Sequence, residues 1–120
     1  MNILADCFVA FVAVLHGCFL VLEMFLWTKP IGRRIFGLPP EVMSSSATLA
    51  ANQGLYNGFL AAGLVWGLWQ GSDGFGIKVF FLGCVIAAGL FGAATAKRSI
   101  LWTQALPGAI ALALVLMTRS

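Results

Sequence analysis

Two ionisable side chains within the first long apolar stretch are the groups best suited to chemistry. Glu23 and His16 are seven residues apart, which is about two helical turns and about 10.5 Å along a helix axis. They therefore lie on one helix face. An ionisable group inside a bilayer costs about 2.5–3.5 kcal/mol on insertion scales, so it favours a functional role. We expect Glu23 to bear charge or accept a proton, with His16 as its acid–base partner.

The second apolar stretch carries four amide or hydroxyl side chains: Asn52, Gln53, Tyr56 and Asn57. At 100° per residue they fall at about 0°, 100°, 40° and 140° around a helix, within one arc of about 140°. Gly54 and Gly58 project from the opposite side. We expect the polar arc to turn inward, because amides and hydroxyls need hydrogen-bond partners away from water.

Counting residues inward from the cytoplasmic ends of the helices places these groups in one half of the protein. Glu23 lies about 6 Å from Trp27, near the level of Asn52 and Gln53. Gln104 is predicted to lie at a similar shallow depth below the cytoplasmic surface of the membrane. The predicted site consists of catalytic residues Glu23 and His16 and substrate-binding residues Asn52, Gln53, Tyr56, Asn57, Trp27 and Gln104.

The composition identifies the class of protein that must position these groups. Of the 120 residues, 61% are hydrophobic and 9% are charged, and the mean hydropathy is +0.99. Soluble domains carry about 25% charged residues. This composition excludes a soluble enzyme, a disordered tail and a disulfide-stapled secreted module. It predicts an all-α integral membrane protein with the lipid bilayer as its surroundings.

Four apolar stretches predict four transmembrane helices in one domain, residues 1–120. The spans cover about 3–27, 47–69, 75–96 and 100–117. Short connections predict an up-down-up-down antiparallel bundle. Residues 28–46 contain three prolines and mix apolar with basic side chains, so we expect this loop to lie along the cytoplasmic interface. Glycines on the second and third spans predict close helix packing.

The distribution of cations predicts the orientation. Five of them fall on one side of the predicted bundle: Lys29, Arg33, Arg34, Lys97 and Arg98. Lys78 and Arg119 fall on the other side. The positive-inside rule then places both termini outside and the basic loops in the cytoplasm of a bacterial inner membrane. The net charge of +3 is thus a topology signal, and no nucleic-acid partner is predicted.

The same residues exclude several sharper chemistries. A di-iron bundle needs several Glu and His ligands, whereas one of each lies within the spans, so no metal site is predicted. The three cysteines form neither a CxxC nor a zinc pattern. No nucleotide-binding or hydrolase motif is present. The sequence leaves the cofactor, and whether the protein is an enzyme, open.

Two classes of function remain compatible with the polar residues. In one, a pocket open toward the cytoplasm binds a small amphiphile, a lipid, isoprenoid or quinone, or acts on it by acid–base chemistry. In the other, the polar residues line a non-catalytic conduit or a helix interface in a homodimer or larger oligomer. An accessory subunit of a larger membrane complex is a further alternative.

Specific motifs carry a family resemblance that covers essentially the whole chain. They are the segment Leu22-Glu23-Met24-Phe25-Leu26-Trp27-Thr28-Lys29-Pro30, the segment Ala51-Asn52-Gln53-Gly54-Leu55-Tyr56-Asn57-Gly58, Phe91-Gly92-Ala93-Ala94-Thr95, and Gln104 with Pro107. The chain resembles the bacterial family of small integral membrane proteins called domain of unknown function 1304. The resemblance implies a location and a fold, and it implies no activity.

Overall fold

A computed structural model describes residues 2–118, and all regular structure among them is helical. The helices are α1 (Ile3–Met24), α2 (Pro30–Phe36), α3 (Pro40–Ser45), α4 (Ala47–Trp69), α5 (Phe75–Thr95) and α6 (Leu106–Met117). A 3₁₀ turn (Gly71–Gly74) precedes α5, and a π-helical turn (Leu101–Ala105) precedes α6. Asn2 caps the N-terminus of α1, because its Oδ1 accepts hydrogen bonds from the N–H groups of Leu4 and Ala5.

The chain divides into two compact units, and the first contains, of the described residues, 2–14 and 60–118. Its core takes side chains from four helices. Val9 and Val12 of α1, Leu64 of α4 and Leu82 of α5 are fully buried. Ala111 and Val115 of α6 belong to the same cluster. Apolar burial of this kind is the main stabilising contribution to such a core.

Within this unit, α5 and α6 form an antiparallel hairpin around the short connection at residues 96–100. A Cβ placed on Gly92 would contact Ile100, one on Gly89 would contact the backbone of Ala105, and one on Gly108 would contact Val85. Residues of α5 that lie further before the connection thus contact residues that lie further after it, as in an antiparallel pair. The glycines allow this approach because they carry no side chain.

Gly89 provides a direct test of this close packing. A Cβ at Gly89 would lie 2.6 Å from the Ala105 backbone nitrogen. We expect Gly89→Ala to lower the free energy of unfolding by about 1–3 kcal/mol, because backbone must move to admit it. Gly83, on the same helix with open space around it, is the matched control. Gly83→Ala should be neutral or stabilising by about 0.5–1 kcal/mol, since alanine is the better helix former. Thermal unfolding in detergent measures both, and equal effects would contradict the packing.

The second unit contains residues 15–59, the end of α1, the two short helices and the start of α4. Here the glycine face of α4 contacts α1. A Cβ on Gly54 would meet Met24 and Glu23, and one on Gly58 would meet Leu20. Residues later in α4 thus contact residues earlier in α1, and the two segments are antiparallel.

Two helix limits differ from the sequence prediction by more than one residue, and a proline lies near each. Helix α1 ends at Met24, before the predicted end at residue 27. Lys29 is extended (φ −81°, ψ 163°), as expected for a residue before a proline. The stretch predicted as one span at 100–117 begins instead with the π-helical turn. Pro107 has no N–H to continue regular α-helical hydrogen bonding across this turn.

Two helical stretches among the described residues are long and apolar enough to cross a bilayer: Ile3–Met24 and Gly71–Thr95. Large apolar side chains are exposed on several helices, including Phe11, Phe80 and Phe91. Exposed apolar surface of this extent marks a lipid or protein contact. These features favour membrane association. Helix α4 is as long, but the polar residues near its start lower its hydropathy.

Candidate functional site

The structure brings Glu23 of α1 and Asn57 of α4 into direct contact. The Asn57 Nδ2 group donates a hydrogen bond to Glu23 Oε1 at 2.5 Å. Both side chains are half-buried. The contact lies beside the glycine face, where Gly54 allows α4 to approach the backbone of α1 closely. Because Asn57 bonds to one carboxylate oxygen, Glu23 keeps acceptor capacity for a second group.

The other members of the predicted arc face outward. Asn52, Gln53 and Tyr56 are exposed, so the expectation that the whole arc turns inward is wrong for these three residues. The glycine side of α4 packs against α1 because backbones approach most closely there. Asn57, at the edge of the arc nearest Gly54, is the member that reaches Glu23. The arc therefore extends from the Glu23–Asn57 contact onto the exposed surface of α4.

His16 is fully buried, two turns before Glu23 on α1. Its ring packs edge-on against Phe19, with ring centroids 5.2 Å apart. The imidazole is a fixed part of the packed interior. The seven-residue spacing along α1 keeps His16 and Glu23 on one side of the helix, as predicted, two turns apart along its axis.

Trp27 holds the short helices that follow α1. Its indole N–H donates to the Met43 carbonyl oxygen at 3.0 Å and to Ser46 Oγ at 3.2 Å. The ring packs on Phe36, 4.6 Å between centroids. Gly32 lies so close to the carbonyls of Leu26 and Trp27 that a Cβ would overlap them. Trp27 thus fixes residues 30–46 against the end of α1, and this contact gives it a structural role beside the predicted binding role.

Gln104 lies in the π-helical turn of the first unit and is half-buried. A π-helical turn widens the helix by one residue, and such turns recur at functional sites. The structure therefore gives Gln104 an irregular backbone that the sequence did not predict.

An ion pair in the first unit is the polar contact that the sequence interpretation missed. Lys78 Nζ of α5 donates to Asp6 Oδ1 of α1 at 2.9 Å. The Lys78 side chain is 11% exposed and that of Asp6 is 29% exposed. The sequence did contain a signal. Each residue is the fourth of its helix, and the ion pair brings these two matching positions together.

The chemistry available at the Glu23–Asn57 contact is acceptance of a hydrogen bond or a proton beside a neutral amide. Asn57 orients one carboxylate oxygen, and the arc on α4 adds amides and a phenol outside it. Among residues 2–118, no three His, Cys, Asp or Glu side chains are grouped to hold a metal ion.

Comparison with known proteins identifies the family. The family model described as "Protein of unknown function (DUF1304)" matches residues 10–116. The chain belongs to this family. It is similar to the "Uncharacterized protein YpaA" of Lactococcus lactis subsp. lactis (strain IL1403), with 32% identity over 106 residues that cover 87% of this chain and 89% of that protein. No solved structure matches the chain. The family resemblance noted in the sequence is thereby confirmed.

Proposed function

We propose that this member of the family is a multi-pass protein of the bacterial inner membrane. In this proposal α1, α4, α5 and the π-helical turn with α6 are its four spans, arranged up-down-up-down as one domain with both termini outside. The exposed apolar side chains and the two bilayer-length helices support it. The antiparallel contacts within each unit are those that such a bundle requires.

Charge supports the proposed orientation. Lys29, Arg33, Arg34, Lys97 and Arg98 are all exposed, as expected for loops that face the cytoplasm. Lys78 is paired with Asp6, so its charge is compensated. On α2, Ile31 and Ile35 are exposed with Arg33 and Arg34 between them. This pattern is typical of a helix lying on an anionic membrane surface.

Labelling of single cysteines in intact cells tests this orientation. In a variant whose native cysteines are replaced, we expect Ser72→Cys to react with a membrane-impermeant maleimide and Ser99→Cys to react only after the cells are opened. Both serines are exposed on the protein, so the side of the membrane on which each lies decides whether the maleimide reaches it. The opposite pattern would contradict the topology, and labelling of both in intact cells would contradict a spanning arrangement.

We further propose that the site at Glu23 binds a small amphiphile, a lipid, isoprenoid or quinone, from the cytoplasmic half of the membrane. The hydrogen bond between Asn57 and Glu23 carries this proposal. It holds a half-buried carboxylate where apolar helices meet, and a structural contact would not need an ionisable group. The exposed amides and phenol of α4 would bind the polar head while the tail lies in lipid.

Binding is tested with the purified protein and three probes: a single-chain phospholipid, a polyprenyl phosphate and a short-chain quinone. We expect one class to raise the thermal unfolding temperature in a concentration-dependent manner. His16 would act as the acid–base partner if the bound molecule is also transformed. No effect from any of the three would contradict amphiphile binding of these classes.

The exposed arc also favours a second candidate function, a non-catalytic oligomer or conduit. Asn52 and Gln53 lie outward on a helix proposed to cross lipid, where an amide lowers its free energy by bonding to another helix. In this candidate, arcs from separate copies face each other. Native mass spectrometry that finds a monomer across detergents would contradict it.

A further inference from the structure

A cavity in the first unit contains the Asp6–Lys78 ion pair. Its volume is about 140 Å³, and it is lined by Asn2, Ala5, Asp6, Gly71, Ser72, Phe75, Lys78, Val115 and Thr118. Both members of the ion pair line it, together with amide and hydroxyl side chains. This space is large enough to hold several water molecules.

From this arrangement we propose that the cavity binds a small zwitterion, a group with an ammonium and an acidic anion a few bonds apart. The site is separate from the one proposed at Glu23 and does not depend on it. Lys78 would bind the anionic group and Asp6 the ammonium. The apolar wall formed by Phe75 and Val115 would contact the carbons between them.

The balance of charge selects this ligand class. Lys78 has three donor hydrogens and Asp6 has two acceptor oxygens, and their mutual bond uses one of each. Because Lys78 and Asp6 already compensate each other, a ligand with one charge would bring an uncompensated charge into a largely buried place, which is costly. A zwitterion offers each residue an opposite charge, so the ligand and the described lining residues together keep a net charge of zero.

The surroundings support a ligand rather than a packed contact. Protein interiors are close-packed, so an ion pair with a purely structural role is expected to be surrounded by packed side chains. Here open space adjoins both charged groups. Ser72, on the turn before α5, is exposed at the cavity. A group of this chemistry can come from a free solute or from a zwitterionic lipid head group.

Thermal unfolding of the purified full chain tests the proposal with two sources of ligand. Glycerophosphoethanolamine, a phosphodiester with one negative and one positive charge, is the free probe, and nanodiscs of phosphatidylethanolamine against phosphatidylglycerol provide the lipid. We expect a rise of about 3–6 °C with the zwitterion. A rise with the free probe assigns a soluble ligand, and a rise only in phosphatidylethanolamine assigns a head group. Both support the site.

Two variants and two control probes make the test specific. Asp6→Asn with Lys78→Met removes both charges together, and Ser72→Trp fills the cavity while keeping the ion pair. Both should lose the rise. The proposal is overturned if neither source stabilises the wild type, if the double variant responds equally, or if ethanolamine alone or phosphate alone gives the same rise.

Discussion

Replacing Glu23 by glutamine is expected to weaken amphiphile binding by about 10- to 100-fold with little change in stability. The glutamine carbonyl can still accept the hydrogen bond that Asn57 donates, so the contact between α1 and α4 survives. The charge and the proton-accepting oxygen are lost. A hydrogen bond to a charged group contributes about 1.5–3 kcal/mol, which corresponds to that range of affinity. Titration of the reconstituted protein with the stabilising probe measures it.

Glu41→Gln is the matched control for this variant. Glu41 is an exposed carboxylate on α3, and the same chemical change there should leave binding unaltered. If Glu23→Gln binds as tightly as the wild type, then Glu23 is a structural residue. If it unfolds at a clearly lower temperature, the charge itself stabilises the fold, and the proposed role of Glu23 fails.

Replacing Lys78 by methionine is expected to lower the free energy of unfolding by about 2–3 kcal/mol. Methionine keeps the apolar stem that packs beside Gly67 but leaves the Asp6 carboxylate without its partner. Breaking a fully buried pair costs about 3–5 kcal/mol. The 29% exposure of the Asp6 side chain gives some access to water and reduces this cost.

Addition of Asp6→Asn to Lys78→Met should restore most of the lost stability, because no unpaired charge then remains. The double-mutant cycle isolates the coupling between the two side chains. Additive losses in the cycle would show that the ion pair contributes nothing to the fold. The restored double variant also provides a folded protein for the cavity experiment.

Long apolar runs made the helices predictable. The second predicted span, 47–69, has the residue range of α4, because apolar residues and a serine-rich start mark its limits. Two other limits differ near prolines. Helix α1 ends at Met24, before the extended Lys29 and Pro30, and Pro107 follows a π-helical turn that no hydrophobic period reveals. Whether these helices form one membrane bundle stays a prediction.

The orientation of α4 was harder to predict, because two opposing preferences act on it. The arc of amides favours burial, and the opposite glycines favour close backbone approach. The glycines lie toward α1, and only Asn57, at the edge of the arc, reaches a partner there. The Asp6–Lys78 pair required knowing which helices are neighbours, since the two residues are 72 positions apart. Their matching position, the fourth residue of each helix, was the available signal.

Native mass spectrometry of protein extracted gently from its own membrane tests the central claim most directly. The claim is that Glu23 and Asn57 hold a small amphiphile. The wild type and Glu41→Gln should each carry one additional mass of an endogenous lipid, isoprenoid or quinone, and Glu23→Gln should lack it. An unoccupied wild type, or equal occupancy in Glu23→Gln, would contradict the claim.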